Sequence, residues 1–241
     1  MLPLRDINPT RRFPILTYTL IALNVLIFLW QGSFGVNELQ AVFVDLSVVP
    51  AEITKSPFAL ESFLDIVRSM FFHGGWMHLL GNMLYLWLFG DNVEDRLGKL
   101  IFLFLYFSSG FVAAVAQVIV APNSTIPLVG ASGAIAGVLG SYLLLFPGVR
   151  VQGIVPLGLF SRLSEWPAWA VLALWFVVQL FNGLFSIGVD TGASGGVAFF
   201  AHIGGFIMGM VLTVIMMAFV RQPPAEERRH ALYARSRRYR F

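Results

Sequence analysis

The chain has 241 residues, 57% of them hydrophobic and only 12% charged, with a net charge of +3. Soluble domains carry about a quarter charged residues, so this composition argues for a membrane protein. The absence of cysteine excludes disulfides, thiolate catalysis and cysteine-held metal. The small positive balance comes largely from the C-terminal tail and gives no reason to expect nucleic acid as a partner.

Charge placement divides the chain. No Asp, Glu, Lys or Arg occurs in 13–37, 69–90, 100–149, 166–189 or 191–220. A membrane-spanning helix needs about 20 apolar residues. Four of these blocks hold one helix each, and 100–149 holds two, broken at Ala121-Pro122-Asn123-Ser124-Thr125-Ile126-Pro127. Six spans are expected: 14–31, 76–91, 98–121, 132–146, 166–184 and 198–220. Arg5, Arg11 and Arg12 precede the first, Arg96 and Lys99 follow the second, and Arg150 and Arg162 follow the fourth. Seven arginines follow the sixth. The alternate connections are poor in cations, so the positive-inside rule places both termini in the cytoplasm. The first apolar stretch lacks a small-residue cleavage site and reads as a retained anchor. Residues 1–13 are expected as a cytoplasmic N-terminus, 14–220 as the membrane domain and 221–241 as a basic cytoplasmic tail.

Two polar groups inside the apolar blocks carry chemistry. Ser132 opens the fourth span within Gly130-Ala131-Ser132-Gly133, and His202 lies near the start of the sixth. Polar or ionisable residues at membrane depth are costly and point to function. From Ser132 to Phe146 a helix extends about 22 Å at 1.5 Å per residue, short of a hydrocarbon core about 30 Å thick. If its C-terminal end lies at the cytoplasmic surface, Ser132 lies below the outer one. The uncharged 121–131 segment then dips inward, which is tolerated only where it is buried in protein or lines a wet cavity. The start of the helix also offers unpaired N–H groups for an oxyanion. A serine at a tight bend also serves simply as a helix N-cap.

His202 weighs against that simpler reading. Ala201, Gly205 and Gly209 recur every four residues and form a small-residue face for close packing. The glycine-rich face of the fourth span, with Gly133, Gly137 and Gly140, is its natural partner. Packing them together would bring the imidazole to the Ser132 hydroxyl, the minimal pair for nucleophilic acyl transfer. Gly192-Ala193-Ser194-Gly195 repeats the tetrapeptide, but Ser194 would stand about 12 Å from His202 along one helix. It is read as a cap. In the second span His78 and Asn82 share one helix face and suit oxyanion donation. His73 is read as structural, in the preceding loop. No His-Glu-x-x-His pattern occurs, so neither a metal nor another cofactor is expected.

With Gly-x-Ser-Gly opening the fourth span, Ala-His-x-x-Gly-x-x-x-Gly in the sixth and His-x-x-x-Asn in the second, the chain resembles the rhomboid family of intramembrane serine proteases over roughly 14–220. The resemblance implies an all-α, six-transmembrane-helix rhomboid-like bundle with a re-entrant loop before the fourth helix. It implies a Ser132–His202 dyad, with His78 and Asn82 as oxyanion donors. Gly130, Gly133, Gly205 and Gly209 would pack around the site. The substrates would be transmembrane segments of other proteins within the lipid bilayer, cut near their outer end. A prokaryotic cytoplasmic membrane is the expected home. Glu94 is expected to bond backbone N–H groups, the 32–75 connection to form a membrane-lying loop, and the fifth span, bulky with Trp175, to act as a movable wall. Leu64-Asp65 replaces the family's usual Trp-Arg pair. Ala136 stands where an aromatic often packs on the base, so His202 needs another partner. The rival readings are a non-catalytic rhomboid-like chaperone or adaptor, and a small transporter. Loss of Ser132 or His202 would mark the former, paired intramembrane charges or inverted repeats the latter.

Overall fold

The computed structural model describes residues 2–157, 160–186 and 198–219. Strand β1 (Leu2–Asp6) leads into helix α1 (Ile15–Gln31). Three short helices follow: α2 (Val36–Leu46), α3 (Pro50–Lys55) and α4 (Leu60–Ser69). Then come α5 (Trp76–Leu97), α6 (Lys99–Val120) and α7 (Ser132–Leu145). Strands β2 (Arg150–Leu157) and β3 (Phe160–Pro167) separate α7 from α8 (Ala168–Ser186), and α9 (Phe199–Met217) follows. A helix therefore occupies each of the six apolar ranges. Three of them, α6, α8 and α9, are long and apolar enough to cross a membrane; α1 and α7 are apolar but shorter.

The protein is mostly helical, but all-α is too narrow a description. Residues 2–6 pair antiparallel with β2, Leu2 opposite Ile154 and Asp6 opposite Val151, and β2 pairs antiparallel with β3. The connection between α7 and α8, expected only as a loop carrying Arg150 and Arg162, is thus a hairpin, and the N-terminal residues add its third strand. The partners of β1 lie some 150 residues away along the chain, beyond the reach of local pattern.

Helix α7 sits at the centre, buried at every residue from Gly133 to Tyr142. Its fit against α9 depends on glycine. A Cβ on Gly205 would run into the carbonyl oxygen of Gly133, and one on Gly209 into that of Gly137. Backbone lies on backbone there, so the two helices approach as closely as small residues allow. On the other side, a Cβ on Gly133 would come within 2.5 Å of Ala113 Cβ on α6.

The entry of the chain into α1 is fixed by one carboxylate. Glu94, buried on α5, accepts from the N–H of Leu16 (3.0 Å), the N–H of Thr17 (2.8 Å) and Thr17 Oγ1 (2.9 Å). These are N–H groups of the first helical turn, which have no intrahelical acceptor and favour an anion. The role expected of Glu94 is the one it plays. Ahead of it, Asp95 accepts from the N–H of Arg11 and of Arg12.

Candidate active site

Ser132 is the first residue of α7, and no side chain caps that helix. The residues before it run in an irregular path tied down by the 32–75 connection: Leu128 N–H donates to Val48 O and Gly130 N–H to Ser69 O. Gly130 holds φ +127°, a left-handed conformation that glycine adopts freely. A Cβ there would also lie 2.7 Å from the His78 ring. Both the turn and the space before Ser132 require glycine.

The close approach of α7 and α9 sets two side chains against each other. Ser132 Oγ lies 2.8 Å from His202 Nε2, across 70 residues of sequence. That is within the ordinary range for a hydrogen bond, and both residues are partly buried. The hydroxyl that opens one helix thus meets the imidazole one turn into the other. His202 Nδ1 is 2.8 Å from Oε1 of Gln179 on α8; an amide oxygen only accepts, so the hydrogen sits on Nδ1 and Nε2 accepts from the Ser132 hydroxyl. The indole of Trp175, one helical turn before Gln179, lies against the same imidazole, with ring centroids 5.8 Å apart.

The sequence reading missed Gln179, a neutral amide in an apolar block, and took Trp175 for bulk on a movable wall. Ala136 is fully buried on α7, and the side chains found against the His202 ring come from α8.

His78 and Asn82 face the same cavity as Ser132 and His202, a space of about 870 Å³. Its rim comes from Gly74 to Met77 and from Ile126 to Gly130. Asn82 is held from behind. Its Nδ2–H donates to His73 Nε2 at 3.0 Å, while His73 Nδ1 lies 3.3 Å from the carbonyl of Phe71. The backbone of His73 is itself clamped by Gln31 of α1, whose amide donates to His73 O and accepts from His73 N–H. Burial, with His78 adding to it, pushes the His73 imidazole down to about 4. His73 is therefore a neutral spacer between α1 and Asn82, and it lies outside the cavity. The first-turn N–H groups of α7, which have no intrahelical acceptor, complete the polar groups beside Ser132. Ser194, the tail 221–241 and most of the 185–197 connection lie outside the described residues.

A family model described as the Rhomboid domain matches residues 60–219. Among curated proteins, the chain is 28% identical over 212 residues to "Rhomboid protease AarA" of Providencia stuartii, covering 83% of this chain and 71% of that one. It is 32% identical over 142 residues to "Rhomboid protein 1, mitochondrial" of Saccharomyces cerevisiae, covering 56% of this chain and 38% of that protein. "Rhomboid protease GluP" of Bacillus subtilis is 32% identical over 130 residues, 54% of this chain and 24% of its own. The chain thus spans less than half the length of two of these three relatives. Bacterial and mitochondrial proteins stand side by side among them, so the likeness points to a membrane without singling out a prokaryotic one.

Proposed function

The chain belongs to the rhomboid family of membrane proteins, and we propose that it is an intramembrane serine endopeptidase that cuts transmembrane segments of other proteins. The observation that carries this reading is the 2.8 Å hydrogen bond between Ser132 and His202 beside a roomy cavity. In the proposed reaction Ser132 Oγ attacks the scissile carbonyl carbon as His202 Nε2 takes the hydroxyl proton. The tetrahedral oxyanion is met by the N–H groups at the start of α7 and by His78 and Asn82. His202 then gives its proton to the leaving amine, the C–N bond breaks, and an ester to Ser132 remains. Water entering the cavity, deprotonated by the same imidazole, hydrolyses that ester and regenerates the hydroxyl.

In this reading α1, α5, α6, α7, α8 and α9 all cross the bilayer. The 121–131 segment is a re-entrant stretch that brings Ser132 below the outer surface, and both termini face the cytoplasm. The arginine-rich flanks support that orientation. The substrate helix would arrive sideways within the lipid and unwind at the cavity.

The test is cleavage of a transmembrane substrate by purified protein in proteoliposomes. Wild type is expected to cleave, and Ser132→Ala and His202→Ala are each expected to be inactive yet folded. Residues acting as one unit are non-additive, so the double variant should be no worse than either single one. A non-catalytic family member would leave the substrate intact in every case.

A further inference from the structure

A base that accepts the Ser132 proton on Nε2 works only while its ring is held with Nδ1–H bonded to something else. Otherwise the imidazole rotates, or carries its hydrogen on the wrong nitrogen. The groups that do this holding stand on α8 rather than on α7 or α9. We propose that Gln179 is the positioning residue of the base: its Oε1 accepts the Nδ1–H of His202 at 2.8 Å and fixes the tautomer that can take the serine proton. Trp175, at i−4 on the same face of α8, lies flat enough against the ring (38° between planes) to restrict its rotation. The inference rests on the dyad reading above and goes one step past it.

Where Gln179 stands has a functional consequence. Only Ala168, Val171, Leu172 and Gly183 of α8 are buried. Its contact with α9 runs through side chains, with Phe176 stacked on Phe206 at 4.7 Å and the Phe199 and Ile203 side chains of α9 lying against Gly183. Helices joined by such contacts part more readily than helices joined backbone to backbone. When α8 leans away from α9, Gln179 and Trp175 leave the imidazole together, and the Ser132–His202 pair loses its orientation. The serine is therefore activated only when α8 is closed against α9. A substrate that opens this side of the bundle meets a dyad that becomes competent on closure. The amide is uncharged, so this coupling places no ion in the apolar wall.

The experiment uses the full-length protein in proteoliposomes with a transmembrane substrate, comparing wild type, Gln179→Met and Gln179→Glu. Methionine keeps the length and volume of glutamine and removes the acceptor. Its kcat should fall about 10- to 100-fold, the scale of losing a partner that orients a histidine, with KM unchanged because Gln179 does not line the cavity. Glutamate keeps an acceptor and adds a charge that favours the protonated ring. Its plateau kcat should approach that of wild type, while the acidic limb of its pH–rate profile moves to higher pH. Wild-type kcat and pH profile in Gln179→Met would overturn the proposal. So would equal losses in the two variants, or a loss carried by KM, which a merely structural role would give. If the methionine variant does not fold, the shift of the acidic limb in Gln179→Glu decides by itself. Activity in Ser132→Ala, by contrast, would sink the dyad reading and leave nothing for Gln179 to position.

Discussion

The α7–α9 pair and helix α8 are built on opposite principles, although all three meet at one imidazole. Between α7 and α9 the contact is backbone on backbone, with Gly205 and Gly209 seated on the carbonyls of Gly133 and Gly137, and α7 is buried from Gly133 to Tyr142. Between α8 and α9 it is made by large side chains, and only Ala168, Val171, Leu172 and Gly183 of α8 are buried. The first kind of contact fixes distance: it leaves no room for a methyl group, so the Ser132–His202 separation follows from helix geometry. The second kind fixes orientation only while it lasts. On the proposal above, separating them would let α8 move without changing the Ser132–His202 spacing.

The largest effect should come from attacking the rigid half. Gly209→Val would drive a side chain into the Gly137 carbonyl, and overpacking of a close interface costs about 1–3 kcal/mol or more. Cleavage should vanish and thermal unfolding should begin well below that of wild type. A Gly209→Val protein that melts and cleaves normally would show that the close packing does not set the site.

Next in size is the oxyanion side. Loss of one donor slows reactions by about 10²–10³ in kcat, so steady-state kinetics of Asn82→Ala should show a loss in that range with the fold intact. Full activity would remove Asn82 from the site.

A smaller loss is expected from α8. Shrinking a bulky wall would, on bulk alone, ease access and raise turnover. With the Trp175 indole against His202, Trp175→Ala should instead lower kcat several-fold, whatever it does to access. Faster cleavage of transmembrane substrates would return Trp175 to the role of a plain gate.

The six helical ranges were legible because charge-free blocks bounded by charge need only counting. Ser132 and His202 were legible because a hydroxyl and an imidazole in such blocks are rare and both border glycine patterns. Gln179 obeys the same rule and was passed over. Asn24, Gln117 and Thr213 also sit in apolar blocks, and only the face and depth of each helix tell which polar side chain meets the imidazole. The β-sheet was illegible for another reason. Its first strand is five residues long, contains Pro3, and is separated from its partner strand by seven helices along the chain.

The smallest predicted effect concerns that sheet. Asp6, at the end of β1, accepts from Tyr142 Oη–H (2.6 Å) on α7 and from Asn92 Nδ2–H (3.1 Å) on α5. Burial pushes its carboxyl up to about 7, against the lowering effect of the Tyr142 bond; Asp91 adds to the rise and Arg5 opposes it. The folded protein therefore holds a proton that the unfolded chain releases near pH 4. The stability this contributes is fully present below pH 4 and is lost as pH rises towards 7. Melting temperature should fall modestly across that window in wild type, and Asp6→Asn should flatten that part of the profile. An identical slope in both proteins would show that Asp6 does not titrate there.

Covalent capture asks directly whether Ser132 is a nucleophile with His202 as its base. A fluorophosphonate reacts only with an activated serine, and digestion with mass spectrometry locates the adduct. A single phosphonylated residue, Ser132, is expected in wild type, and no adduct in His202→Ala. An adduct at Ser194, or one at Ser132 that forms equally fast without His202, would contradict that pairing.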